Sequence, residues 1–394
     1  MRKFLYILIL ILCFPLWSGA QSIDYGPGLF HVNPAWTIKK QSFYLGSHSR
    51  AFFKDEIQSV NGGEEKQGIT YWDIQGGMGL YYGLSSKFQL GFSQILYQDT
   101  HENGSGYSIP GNIFFQAKLG RLSPPNSNWM AGLQLDVRLP LGNYTNIPLE
   151  PYTVDRIGIG LKGLFSIVSE PMFPEYGVNI HGNIGFFSHN DLGMVLTNAD
   201  DDTITVDETS QELIYGLAFS TSMQEFSLFA ELYGRTFLTR PPVSAYSREN
   251  SIYISPGISY TPNPWMKLKV ALDIRILGGK DETLYGGKGG SYAQLPWEHV
   301  PNYPSWRINV GTVIALNPTK SVEQRKQYLN TQKERALESV SGQETIYDRL
   351  TDDRREAENV EAELERIRAD RERMERLLER LKTILESPSQ PEEK

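Results

Sequence analysis

The sequence predicts an all-β fold, an antiparallel transmembrane β-barrel of about twelve strands, followed by a C-terminal α-helical coiled-coil segment. Three observations carry this reading. Apolar and polar residues alternate strictly over long stretches, the connections alternate between short and long, and charge density changes abruptly near Asn317-Pro318. Of the 84 charged residues, 34 crowd into the last 74 of 394 positions, while Gly (36), Tyr (21) and Phe (18) are abundant overall. A mean hydropathy of −0.36 excludes a bundle of transmembrane helices, and a net charge of −8 argues against nucleic acid as the main partner.

Residues 1–20 read as a signal peptide. Arg2 and Lys3 precede an apolar run from Phe4 to Trp17, and small residues at Ser18 and Ala20 suit cleavage after Ala20. Export is therefore expected. Cys13 falls inside this segment, so the mature chain can form neither a disulfide framework nor a Cys-based zinc site.

Residues 21–320 form the predicted barrel. In 129–139, Trp129, Ala131, Leu133, Leu135, Val137 and Leu139 share one parity, against Met130, Gln134, Asp136 and Arg138 on the other. The stretch 267–276 behaves alike, with Leu268, Val270, Leu272, Ile274 and Ile276 opposed to Lys269, Asp273 and Arg275. Such alternation marks a strand with one apolar face, and ten or more residues suffice to cross a bilayer at a tilt. Twelve segments qualify: 42–53, 69–82, 87–98, 110–120, 128–140, 156–168, 176–187, 211–221, 226–237, 251–261, 266–277 and 306–316. Short turns (83–86, 121–127, 170–175, 222–225, 261–264) alternate with long loops (54–68, 99–109, 141–155, 188–210, 238–250, 278–305). Aromatics gather at both strand ends. Tyr81, Tyr82, Trp129, Tyr176, Tyr260 and Trp265 lie by the short turns, and Trp72, Tyr97, Phe186, Tyr215 and Trp306 by the long loops, as two interfacial belts would require.

The last strand carries a resemblance. Asn309, Gly311, Ile314 and Leu316 are spaced like the terminal-strand signal of bacterial outer-membrane proteins, although here the chain runs on past Leu316. Residues 42–316 as a whole resemble twelve-stranded, porin-like outer-membrane barrels. The resemblance implies delivery to the barrel-assembly machinery, a bacterial outer membrane with its lipid and lipopolysaccharide as surroundings, and a tail in the periplasm.

With the apolar parity against lipid, the opposite parity faces the lumen: His48, Arg50, Asp73, Lys118, Asp136, Arg138, Lys162, His181, Glu231, Arg235, Lys269, Asp273, Arg275 and Arg307. Histidines aside, eight are cationic and four anionic, an excess of +4 that would favour anions in a pore. A passive channel for small anionic solutes is one expectation. The other is a lumen filled by ion pairs such as Asp136/Arg138, Glu231/Arg235 and Asp273/Arg275, in a structural envelope protein that anchors the tail.

Catalysis is not expected, nor is a cofactor or a metal. Outer-membrane phospholipases pair a His with a Ser, but His48 and Ser49 point to opposite faces, and His181 and Asn183 share a face without a serine in register. His189, Asn190 and Asp191 lie near a rim without the second acidic pair an omptin-like protease uses. The acidic loop with Asp200–Asp202, Asp207 and Glu208 lacks the Gly and spacing of a calcium loop, and Gly286–Gly290 precedes no helix that could seat a phosphate.

Residues 321–394 read as helical. One helix is expected over 321–340, ending at Ser341-Gly342, and a second carries a heptad seam: Ile346, Leu350, Asp353, Ala357, Val360, Leu364, Ile367, Arg371, Met374, Leu378, Leu381 and Leu385. Leu at a with Ile or Val at d leans towards a homotrimer, with Arg371 helping to set register. The first helix folding back as a hairpin partner is the alternative.

Overall fold

The computed structural model describes residues 25–60, 65–102, 111–141, 146–196, 204–223, 225–285 and 300–386. Twelve antiparallel strands form a closed barrel: β1 (Phe43–Val60), β2 (Glu65–Gly83), β3 (Phe88–Glu102), β4 (Ile113–Leu119), β5 (Trp129–Leu139), β6 (Gly158–Val168), β7 (Val178–Ser188), β8 (Gln211–Met223), β9 (Phe226–Thr239), β10 (Ser251–Asn263), β11 (Met266–Leu277) and β12 (Trp306–Ala315). Each strand pairs with its chain neighbours, and β1 closes on β12 with Tyr44 opposite Ala315 and Arg50 opposite Asn309. Closure matters because a free strand edge inside hydrocarbon would leave N–H and C=O groups unpaired, at several kcal/mol each.

The alternation sorts the side chains as the period requires. Outward residues are apolar and exposed, among them Leu133, Leu135, Ile180, Phe219, Val270, Leu272 and Val310, while Asp73, Asp136, Glu231 and Asp273 are buried inside. No helix among the described residues is long and apolar enough to cross a membrane.

All twelve expected strands are present, with three differences. The first is length. The 54–68 segment expected as a loop is mostly hairpin, because β1 and β2 stay paired from Phe43/Tyr82 as far as Val60/Glu65. Lys54, Asp55 and Glu56 break the apolar alternation there, yet the ladder continues, with Thr70 donating to Asp55 (2.7 Å) and Tyr71 to Glu56 (2.8 Å) across the two strands. Tyr81 is the second difference. It does not join an aromatic belt but points inward, fully buried, since its parity is that of Asp73 and Gln75. Tyr82, expected in the same belt, does lie outside, stacked on Phe43 with ring centroids 4.3 Å apart.

The third concerns the tail. A single helix, α1, runs from Pro318 to Glu386, starting on a proline that suits a first helical turn and passing through Ser341-Gly342 without a break. One glycine costs a helix only about 1 kcal/mol relative to Ala, too little to stop one so rich in Glu, Arg and Lys. The break expected at Ser341-Gly342, and with it the alternative of a hairpin, is not found among the described residues. The chain divides into two compact units, residues 1–324 and 325–394, the second formed by this helix.

Candidate functional site

The lumen is the natural place to seek function, and it is not empty. Residues 25–38, upstream of β1, lie inside the barrel at the end where the short turns and the helix begin; Tyr25, Leu29, Phe30, Val32, Ala35, Trp36 and Ile38 are all buried. The segment adopts neither helix nor strand, so its backbone groups must find partners on the wall. They do so mainly through inward side chains. Tyr25 N–H donates to the Tyr81 hydroxyl (3.0 Å), and the N–H groups of Phe30, His31 and Val32 all donate to the Glu231 carboxylate (3.2, 2.8 and 2.7 Å). Asn33 N–H donates to Asn183 Oδ1 (2.8 Å), Ala35 N–H to Ser166 Oγ (2.8 Å) and Ile38 N–H to Gln89 Oε1 (3.0 Å). Lys269 Nζ donates back to the carbonyls of Gly26 (3.0 Å) and Gly28 (3.1 Å).

Apolar side chains of the segment fill recesses between these polar anchors. Leu29, Phe30 and Val32 pack with Ala218, Phe229 and Ala271; Ala35 and Trp36 pack with Met130, Leu164 and Val168; Tyr25 and Ile38 pack with Tyr81. Burying each large apolar side chain is worth about 1.5–3 kcal/mol. The wall has been cut to receive the backbone. A Cβ on Gly46 would stand 1.6 Å from the Tyr25 carbonyl oxygen, and one on Gly120 2.6 Å from the Ala35 carbonyl oxygen, so neither position accepts a larger residue with the segment in place.

At the other end of the lumen the described parts of the long loops pack inward. Tyr152, Val154, Leu196, Val206 and Ala245 form an apolar cluster with Phe237, and Leu149 and Val300 join Phe52, Ile69 and Tyr71. Leu149 holds φ at 64°, a conformation costly for Leu, and its neighbour Glu150 reaches down to pair with Arg50 on β1. Burial pushes the Glu150 carboxyl up, but the Arg50 guanidinium overrides it and holds the carboxyl below its ordinary range. Tyr152 donates to Asp191 Oδ2 (2.6 Å), and burial followed by the Asp191 charge raises that phenol well above its usual value. Burial lowers His189, whose Nε2 lies 3.4 Å from Glu212, with Arg138 and Asp191 also facing it.

Between the segment and the loops is a cavity of about 60 Å³, lined in part by His31, Arg50, Lys162, Tyr233, Arg235 and Arg307. Lys162 pairs with Asp136 at 3.0 Å. Other pairs are looser: Arg50–Asp73 at 3.7 Å, Arg235–Glu212 and Arg307–Asp273 at 3.8 Å, and Arg307–Asp73 at 4.0 Å. Gaps of that size suit bridging water better than direct hydrogen bonds.

The structure places Arg50, Asp73, Lys118, Asp136, Arg138, Lys162, His181, Glu231, Arg235, Lys269, Asp273 and Arg307 inside the barrel, all buried, with Arg275 half-buried near the loop end. It does not bring all of them to one surface. Glu231 and Lys269 hold the N-terminal segment, whereas Arg50, Asp73 and Arg307 cluster beneath the loops. The expected pairs also regroup: Asp136 meets Lys162, Glu231 meets backbone N–H groups, and Asp273 meets His31 (3.1 Å) and Arg307. Neighbours across strands are closer than residues two apart on one strand. A serine does stand in register with His181, contrary to expectation. Ser166 is its cross-strand partner, with Oγ 2.8 Å from His181 Nδ1, and the same oxygen accepts the Ala35 N–H. That pair holds the segment, with no carboxylate beside it in the described hydrogen bonds. His48 faces inward to Asn309 (3.0 Å), while Ser49 is exposed.

Among further lumen residues that escaped the sequence reading are Glu150 and Glu212, which pair with Arg50 and Arg235, and Tyr233, which stacks on His31 at 3.7 Å. The two acids reduce the cationic excess from four to two. No group of three or more His, Cys, Asp or Glu that could hold a metal ion occurs among the described residues. Asp200–Asp202 and Gly286–Gly290 lie outside the described residues, as does the signal segment 1–20.

No protein-family model matches the chain, and no curated protein matches it. Among solved structures, the chain is similar to the COG4313 outer membrane channel from Pseudomonas putida F1, at 14% identity and TM-score 0.46, covering 73% of this chain and 100% of that one. It is also similar to a porin (7% identity, TM-score 0.28, 70% and 100% covered) and to the β-domain of the Bordetella autotransporter BrkA (10%, 0.28, 68% and 98%). By its own strands the chain has the architecture of an outer-membrane β-barrel, closed, twelve-stranded and apolar outside.

Proposed function

We propose that this protein is an outer-membrane channel for small solutes, held shut by its own N-terminal segment. The supporting observation is the way residues 25–38 are held: through side chains of the wall, with every strand of the barrel already paired on both edges. Removing the segment would leave a closed barrel around a polar lumen. The helix at 318–386 then extends into the periplasm, because it follows the last strand at the short-turn end. Arg50, Lys162, Arg235 and Arg307 line the remaining cavity, and the residual cationic excess favours small anions over cations weakly.

Planar-bilayer recording tests this reading. The intact protein is expected to conduct little, and a chain lacking 25–38 to open whenever the loop cap yields, with a reversal potential shifted towards anions in a salt gradient. Retained heat-modifiable migration on gels would show that the deleted form still folds. A folded, deleted barrel that stays silent would instead support a structural anchor, a reading favoured by the double closure of the lumen.

A further inference from the structure

The strongest unassigned feature is the helix beyond the barrel. Over 354–382 it is solvated on every described face, and its apolar seam is bare: Val360, Leu364, Ile367, Met374 and Leu378 are 49–65% exposed. A seam repeated at steps of three and four gains nothing from solvent, so it is built to be covered by another helix.

The flanking charges decide which one. With Ala357, Leu364, Arg371 and Leu378 at a and Val360, Ile367 and Met374 at d, the g positions are Glu356, Glu363 and Asp370, and the e positions are Arg354, Glu361, Arg368, Glu375 and Lys382. Copies of this chain in one membrane emit their helices from the same barrel rim, so self-pairing is parallel. In a parallel pair each g residue meets the e residue of the partner's next heptad. Glu356 would then face Glu361 of the second copy, and Asp370 would face Glu375; only Glu363 would find an opposite charge, in Arg368. Worse, an a position faces its own equivalent, which sets Arg371 against Arg371 inside the seam. In the isolated chain Arg371 is satisfied by Glu375 on the same helix, at 3.1 Å. The apolar seam alone favours a self-trimer, but its charges oppose one.

We infer that this helix is one half of a heteromeric coiled coil. Its partner is a helix of a different protein, bearing an acid opposite Arg371, bases opposite Glu356, Glu363 and Asp370, and acids opposite Arg354, Arg368 and Lys382. Repulsion against the chain's own copies is the element that leaves the seam free for that partner.

The test uses the full chain in detergent and two synthetic helices with the same Leu/Ile seam. One carries the complementary charges just described; the other carries them inverted. Titration is expected to show the complementary helix binding at least about tenfold more tightly than the inverted one. Equal binding, or binding of neither, overturns the inference. Sedimentation gives a second arm that needs no partner. The wild-type chain should show no association that disappears on removal of 325–394, whereas Glu361→Lys/Glu375→Lys/Arg371→Leu, which turns each clash into a match, should self-associate through the tail. Tail-dependent association of the wild type, or none in the triple variant, counts against it.

Discussion

At the short-turn end the lumen is filled by a single extended segment of fourteen residues, anchored on Glu231, Ser166, Gln89 and Lys269. At the long-loop end it is filled by parts of several loops, which pack on one another and drop one carboxylate, Glu150, onto Arg50. The first closure is local in sequence, so one cut or one clash removes all of it. The second is distributed, and no single residue opens it. A gate is more readily built from the first kind.

Substitutions at the two ends should therefore behave differently. The largest effect is expected from Gly46→Val. Its Cβ would overlap the Tyr25 carbonyl, and because the strand at Gly46 is paired on both sides it is the segment that must give way. Conductance should rise towards that of the deleted chain while heat-modifiability persists; a silent, fully folded Gly46→Val protein would mean that the segment does not block the path. Arg50→Gln acts at the other end. It leaves Asp73 and Glu150 buried without their guanidinium, at a cost of about 3–5 kcal/mol. Proteolysis should then nick residues 146–157 sooner and leave 25–38 protected, and equal sensitivity at both ends would erase the distinction.

Glu231→Gln is milder. It keeps one acceptor for three backbone donors and removes the charge, weakening the seat of the segment by about 2 kcal/mol. Brief openings in bilayer recordings should become frequent without becoming permanent. Acid acts on the loop end through His189. Its folded pKa is lowered, so the closed state holds the neutral ring, and opening lets it take a proton. Stability of the loop cap is full above the unfolded value of about 6.5 and falls as pH drops below it. Loop proteolysis should accelerate from pH 7 to 5.5 in the wild type but not in His189→Gln, and a flat wild-type profile would assign the ring no part. The smallest effect is expected from removing 325–394. These residues form their own unit, so barrel melting should move by less than about 0.5 kcal/mol.

The strands show how far pattern alone carries. Lys269 and Asp273 on β11, set against Leu268, Val270 and Leu272, could be assigned to the inner face because a pleated backbone turns every second side chain the same way, whatever the rest of the chain does. The same period failed at Lys54–Glu56, where β1 carries exposed charges although their partners Tyr71 and Ile69 on β2 are buried under the loops, and at Tyr81, whose residue type suits a belt but whose parity does not. It was blind to residues 25–38. That stretch has no period, and its clues were indirect: apolar Phe30, Val32 and Trp36 ahead of the first strand, and glycines such as Gly46 at inward positions.

Parity, strand number and the side of each charge thus follow from local backbone geometry and are written along the chain. Which acid meets which base is not, because Glu150 and Arg50 are 100 residues apart and become neighbours only when the loops fold inward. Whether the lumen stands open is settled at the same level. It depends on an aperiodic segment finding Glu231 some 200 residues away, and only a closed barrel brings the two together.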